Sequence, residues 1–248
     1  QGNPDITGAF STTGNGPTTW ARAAEDAKKE GLIIISMDYT RPNLDLVKSG
    51  DVYGLVAQPL YEEFYGCAEL LGDKLDGKEI KYRNLLPAPI LLKADLEPYY
   101  GFNDRAEKGI EAAPATEAPA AAKTYSLALI QFLKGHPVHR IMQLGFDEGC
   151  KARGYECDML LPDSTSPVDM IPLAEQALAE PVDGIVFYGY DNSFFPPIAK
   201  FKAKGIPVVT PHFTSFTQAE SGLTAVVGAD GVLYAKAAAD AIGEKLGG

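Results

Sequence analysis

Residues 125–161 read YSLALIQFLKGHPVHRIMQLGFDEGCKARGYECDMLL, and this stretch decides the fold. Tyr125–Ile130 is an unbroken apolar run of strand length. Val138–Arg153 carries apolar positions at Ile141, Leu144, Gly145 and Cys150 and stops at Gly154, as a helix does. Tyr155–Leu161 reads as a second strand. The same alternation continues to the end of the chain. Val168–Ala179 is a helix, Gly184–Tyr188 a strand, and Pro196–Lys204 a helix stopped by Gly205. Pro207–Thr210 and Leu223–Gly228 are strands, and Gly231–Leu246 is an Ala-rich helix. Strands separated by helices imply right-handed crossovers and a parallel sheet.

The first hundred residues repeat this grammar. Strands are expected at Ile6–Phe10, Leu32–Met37 and Val52–Ala57, with one or two more within Lys78–Leu92. Helices are expected at Pro17–Lys29, Leu44–Gly50 and Tyr61–Leu75. The fold class is therefore α/β, with two Rossmann-like (flavodoxin-like) parallel-sheet lobes. Between the halves lies DRAEKGIEAAPATEAPAAAK, residues 104–123, an Ala/Pro/Glu-rich stretch with no hydrophobic period. It reads as a tether. The segment after the tether looks like the start of a protein and the segment before it like the end of one, so the natural ends are expected to have been joined here.

Composition sets the outer limits. With 248 residues, 46% hydrophobic and 22% charged, the chain can bury one or two cores. Its formal net charge of −11 leaves no basic patch for a nucleic acid or an anionic membrane. The basic cluster Lys200–Lys204 (KFKAK) fits the solvated face of a helix. No apolar run approaches the roughly 20 residues that span a bilayer, and no signal peptide is seen. Three cysteines, Cys67, Cys150 and Cys157, have no metal-type spacing, and their odd number leads us to expect buried free thiols.

In open α/β sheets, ligands sit beyond the carboxyl ends of the strands. The residues there are His136 and His139, Tyr188–Asn192 (YGYDN), Pro211–Phe213 (PHF) and Ala229–Asp230 in one half. The other half offers Ser11–Asn15 (STTGN), Asp38–Thr40 (DYT) and Gln58. All three histidines fall in this set, beside Tyr39, Tyr188, Tyr190, Phe194, Phe195 and Phe213. Polar groups framed by flat apolar rings suit a polyhydroxylated small molecule. His136, His139 and His212 raise a His-only zinc site, but no carboxylate or Cys is spaced to complete it, so no metal is expected. Asp191 reads as a helix cap, and the GADG (228–231) and TGNG (13–16) loops as helix starts rather than phosphate cradles. No GxSxG, HExxH or P-loop occurs; neither a catalytic residue nor a cofactor is expected.

The ordered pieces resemble the type I periplasmic sugar-binding proteins, the ribose-binding and lac-repressor-core superfamily. LIIISMDYTRPNLDLVKSG followed by GDVYGLVAQPLYEEFYGCAELL is similar to that family's closing part, whose sugar-binding Asp and Gln fall on Asp38 and Gln58. NPDITGAFSTTGNGPTTWARA resembles a segment in which an Asn binds sugar, with Thr13 at that place. KTYSLALIQFLKGHPVHRIMQLGFDEGCKARGYE resembles the first strand and helix, with His136, Val138 and His139 where an Asn and two stacking aromatics are common. In VDGIVFYGYDNSFFPPIAKFKAKGIPVVTPHF, His212 and Phe213 replace an Asp-Arg pair and Tyr188 replaces an Asn.

The resemblance implies two hinged lobes. One comprises residues 123–229 plus 59–84; the other, 1–58 plus 85–100 plus 230–248; the Ala/Pro-rich linker spans 101–122. It also implies an exchanged order, with on the order of 50 residues of strand–helix units between Gly248 and Gln1 of the family pattern not found in this sequence. The implied function is binding of a sugar or sugar-like polyol between the lobes by hinge closure. The chain would be the solute receptor of an ABC-type importer, partnered by its membrane permease and located in the periplasm. The ligand contacts would be Asp38, Gln58, His136, His139, His212, Tyr188, Asp191, Thr13 and Phe213. Three alternatives stay open: an engineered permutant with reduced binding, a doubly wound sugar- or nucleotide-modifying enzyme, and a scaffold that forms a homodimer through its shortened lobe.

Overall fold

A computed structural model describes residues 3, 5–109, 124–189, 191–212 and 215–248. The first half contains β1 (Gly8–Phe10), α1 (Gly16–Asp26), β2 (Ile33–Met37), α2 (Arg41–Ser49), β3 (Gly54–Val56), α3 (Leu60–Leu75), β4 (Arg83–Leu86), β5 (Ile90–Leu91) and α4 (Glu97–Lys108). The second contains β6 (Ser126–Ile130), α5 (Pro137–Arg153), β7 (Glu156–Leu160), α6 (Pro167–Ala179), β8 (Gly184–Phe187), α7 (Phe195–Ala203), β9 (Val208–Pro211), α8 (Gln218–Ser221), β10 (Ala225–Ala229) and α9 (Gly231–Leu246). Two compact units emerge: 1–59, 87–105 and 229–248 form one, and 60–86 and 106–228 the other.

The larger unit is built on a six-stranded sheet in the order β4-β10-β9-β8-β6-β7. Strands β6 to β10 pair in parallel with one another, with Ile130 paired to Leu160 on one side and Phe187 on the other. Taken in chain order these five run 2-1-3-4-5 across the sheet, a doubly wound arrangement that reverses direction between β6 and β8. On one face Ile130, Ile185, Phe187 and Val208 pack with Met170, Ala174, Ile198 and Phe201 of α6 and α7. Helices α3 and α5 pack closely together. A Cβ placed on Gly145 would overlap the carbonyl oxygen of Tyr61, and one on Gly149 would lie 2.9 Å from that of Tyr65. The two helix backbones can approach this closely only because glycine occupies both positions.

Cys150, near the end of α5, and Cys157, in β7, are joined in a disulfide with Cα atoms 6.3 Å apart. This corrects the expectation of three free thiols. Gly154, left-handed at φ 69°, reverses the chain between them and brings helix end and strand within bridging reach. Cys67 remains a buried free thiol.

The smaller unit has a four-stranded sheet, β1-β2-β3-β5, parallel except for β5. All five residues of β2 (IIISM) are buried, as a strand covered on both faces requires. Residues 101–108, assigned by composition to a linker, are helical instead. The reason is aromatic packing: Tyr99 and Phe102 of α4 hold the buried Tyr39 ring, with centroids at 4.8 and 6.0 Å. The remainder of the expected linker, 110–122, lies outside the described residues.

The α3–α5 contact makes a direct prediction. Gly145→Ala should lower stability by about 1–3 kcal/mol through overpacking. Gly101→Ala, at a helical position with nothing within 4 Å, should be neutral or slightly stabilising. Urea denaturation midpoints of the two variants check both expectations.

Candidate functional site

At the carboxyl end of the larger sheet, the chain leaves β6 and β8 on either side of the reversal point. Phe132, two residues past β6, stacks on Tyr188, one residue past β8, with centroids 4.8 Å apart and planes 14° from parallel. His139, in the first turn of α5, lies 4.7 Å from Phe132 and 5.9 Å from Tyr188. His136 immediately precedes α5, its ring centroid 5.5 Å from that of His139. His212, one residue past β9, meets Tyr188 edge to face at 5.5 Å, and Phe64 of α3 meets Tyr188 from another side at 6.0 Å. Four of the expected contact residues, His136, His139, Tyr188 and His212, are thus brought together. Phe132 and Phe64 join them.

The loops that carry these rings are held from below. Gln143 donates through Nε2 to Gln131 Oε1 at 3.0 Å, and the backbone N–H of Gly189 donates to Thr210 Oγ1 at 3.2 Å. His212 has a left-handed backbone (φ 69°), and Gly228 lies so close beneath it that an added Cβ would stand 2.5 Å from the His212 carbonyl oxygen. Its ring nitrogen Nδ1 lies 3.1 Å from Oε2 of Glu63, a carboxylate with no exposed surface. Burial, and then the neighbouring His136 and His212, pushes His139 down to about 3, so its ring is neutral near pH 7. Its Nδ1 has no hydrogen-bond partner among the described residues. The result is a cluster of aromatic and imidazole rings in which His139 is neutral near pH 7.

Asp191 accepts from the backbone N–H of Ser193 at 2.8 Å and caps a short 3₁₀ turn; that bond holds its carboxyl below the usual range. Phe194 belongs to the hydrophobic core against Phe187, not to a ligand surface, because the turn points it inward. Phe195 packs on Phe216. Phe213 and Tyr190 lie outside the described residues.

In the smaller unit the DYT loop is the ordered feature. Asp38 is buried in a left-handed turn (φ 68°), and Gly14 approaches so closely that an added Cβ would stand 2.7 Å from Asp38 Oδ2. Asn43 fixes both loops, its Nδ2 donating to the carbonyls of Gly14 and Asp38 at 2.9 Å each. Asn103 of α4 donates to Tyr39 O at 2.8 Å and accepts from the Arg41 N–H at 3.0 Å. Gln58 is buried just past β3. Thr13 is exposed, with its hydroxyl 3.4 Å from that of Ser11. Tyr39, expected among the ligand-facing rings, is wholly buried against α4.

Glu63, Phe64 and Phe132 were not singled out from sequence. Phe132 follows its strand as Tyr188 follows β8, so the strand-end rule could have found it. Glu63 gave no signal, because YEEFYG reads as an ordinary helix surface. Among the described residues no three His, Cys, Asp or Glu side chains are grouped to hold a metal ion, and no helix is long and apolar enough to cross a membrane.

Residues 127–248 match the model of the periplasmic binding protein domain. The whole chain has the class I periplasmic-binding-protein fold, with two parallel-sheet α/β units. It is similar to an ABC transporter periplasmic solute-binding protein from Actinobacillus succinogenes 130z, crystallised with bound D-allose. The identity is 13% and the TM-score 0.58, over 97% of this chain and 70% of that one. It is also similar to GanP, a glucose-galactose binding protein from Geobacillus stearothermophilus, at 9% identity and TM-score 0.55, over 98% and 70%. An ABC transporter solute-binding protein from Burkholderia multivorans aligns at 15% identity and TM-score 0.49; the chain covers 65% of its length. No curated protein matches the chain in sequence.

The larger unit holds His139 neutral, so acid should weaken the fold. The unfolded histidine takes its proton near pH 6.5, and the folded one only near 3. Stability contributed by His139 is therefore complete above about pH 6.5 and is lost as pH falls toward 3, with a slope approaching about 1.4 kcal/mol per unit. His139→Gln should remove that part of the acid loss. Urea melts of both chains between pH 7 and pH 4 test the slope.

Proposed function

We propose that this chain binds a sugar or sugar-like polyol reversibly, as the extracytoplasmic solute receptor of an ABC-type importer. The observation that carries the reading is the Phe132–Tyr188 stack beside His136, His139 and His212, at the reversal point of a doubly wound sheet. Flat rings cover the C–H face of a sugar, and imidazole nitrogens meet its hydroxyls. In this reading Asp38, Gln58, Thr13 and Phe213 are further ligand contacts. The Cys150–Cys157 disulfide supports an oxidising compartment outside the cytoplasm.

The order of the family's parts is exchanged in this reading. The five strands of the doubly wound order begin at β6, whereas β4 comes from earlier in the chain and adds to the sheet's far edge beside β10. That placement suits elements that come last in the family's order.

A thermal-shift screen against D-allose, D-galactose, D-ribose, inositols and nucleosides tests the proposal. A sugar at a hundredfold its dissociation constant should add about 2.7 kcal/mol to the folded state. Tyr188→Ala should abolish the shift while leaving a cooperative melt. A shift with nucleosides alone, or none at all, contradicts the reading.

A further inference from the structure

Leu133, the residue after Phe132, has a left-handed backbone at φ 54°. A bulky side chain seldom adopts that conformation, which persists only where the surroundings over-determine it. The tip of the loop is not held by packing. Residues 134–137 are exposed, and a Cβ on Gly135 would meet nothing within 4 Å. Backbone hydrogen bonds to the segment between β7 and α6 are long: Leu133 N–H donates to Ser164 O at 3.4 Å and Lys134 N–H to Pro162 O at 3.2 Å.

The remaining restraint from outside the loop is one buried amide. Gln143 Nε2 donates to Gln131 Oε1 at 3.0 Å and to the Lys134 carbonyl at 3.3 Å, and so brackets Leu133 on both sides. A side-chain NH2 has two hydrogens, and these two bonds use both. Gln131 is wholly buried and Gln143 nearly so. Amides in such a place are costly unless bonded, and an apolar pair would fill the same space without that demand. Gln143 also lies one helical turn past His139 on the same face of α5, so the amide ties the loop to the helix that carries the histidine. We infer that Gln143 is a positioning residue for ligand binding: it holds Leu133 in the left-handed turn that lays Phe132 on Tyr188, so the ring stack stands ready before a ligand arrives. A surface set in advance loses less freedom on binding. The inference rests on the sugar-binding reading for its ligand, but not for the conformation of the loop.

Proton NMR of the isotope-labelled, ligand-free chain tests it first. Leu133 should show the strong amide–α-proton NOE of a positive φ, and the Tyr188 ring protons should be shifted upfield by the Phe132 ring. Gln143→Met keeps the length of the side chain and removes both donors, and both signals should be lost. That variant leaves Gln131 Oε1 unpaired, whereas Gln131→Met/Gln143→Met removes both partners and should regain a cooperative melt without regaining the signals. Calorimetric titration with D-allose should show affinity reduced at least about tenfold in both variants, the loss expected when the ready loop falls to a tenth of the population. A pair that only stabilised the fold would lower the melting temperature of the single variant and leave ring signals and affinity unchanged in the folded double variant; that outcome overturns the inference. Absence of the Leu133 signal in the unaltered chain overturns it as well. Should no sugar bind the unaltered chain, the sugar reading falls, and the NMR signals still decide whether Gln143 positions Phe132.

Discussion

Everything at the proposed site depends on the position of β6. It is hydrogen-bonded on both sides, to β7 and to β8, and the chain winds away from it in opposite directions. In open α/β sheets the loops leaving such a pair diverge, and ligands bind beyond those strand ends. Phe132 and Tyr188 are the first large side chains past those two strands. Their stacking is the direct consequence of strand order, and the N-terminal turn of α5 delivers His139 to the same place.

A second constraint is close backbone packing. Gly145 and Gly149 let α5 lie against α3, and this fixes where the first turn of α3 places Glu63 and Phe64. Glu63 then reaches His212, and Phe64 reaches Tyr188. Helix packing on one side of the sheet thereby sets ring orientation at its end. In the smaller unit two buried asparagines do the corresponding work. Asn43 joins the loops that carry Gly14 and Asp38, and Asn103 ties α4 to the backbone on both sides of Thr40.

Most strands and helices were legible because apolar runs of strand length alternate with helices ended by glycine, as at Gly50, Gly154 and Gly205. Direction and partnership could not be read. Tyr39 and Phe194 stand at the right sequence positions for a ligand surface, yet one packs on α4 and the other on β8, since strand-end position does not fix which way a ring points. Helix α4 was obscured by the composition of the stretch that continues it, and its stability comes from the Tyr39, Tyr99 and Phe102 contacts rather than from propensity. An odd cysteine count concealed a pairing that only the Gly154 reversal makes close. Glu63 was hidden because a buried, paired carboxylate and a solvated one look the same in a helical sequence.

The most direct measurement is a crystal structure of the chain grown with D-allose. The predicted result is a sugar ring laid against the Phe132–Tyr188 stack and in contact with His212. A well-ordered sugar bound elsewhere, with those three side chains untouched, would contradict it.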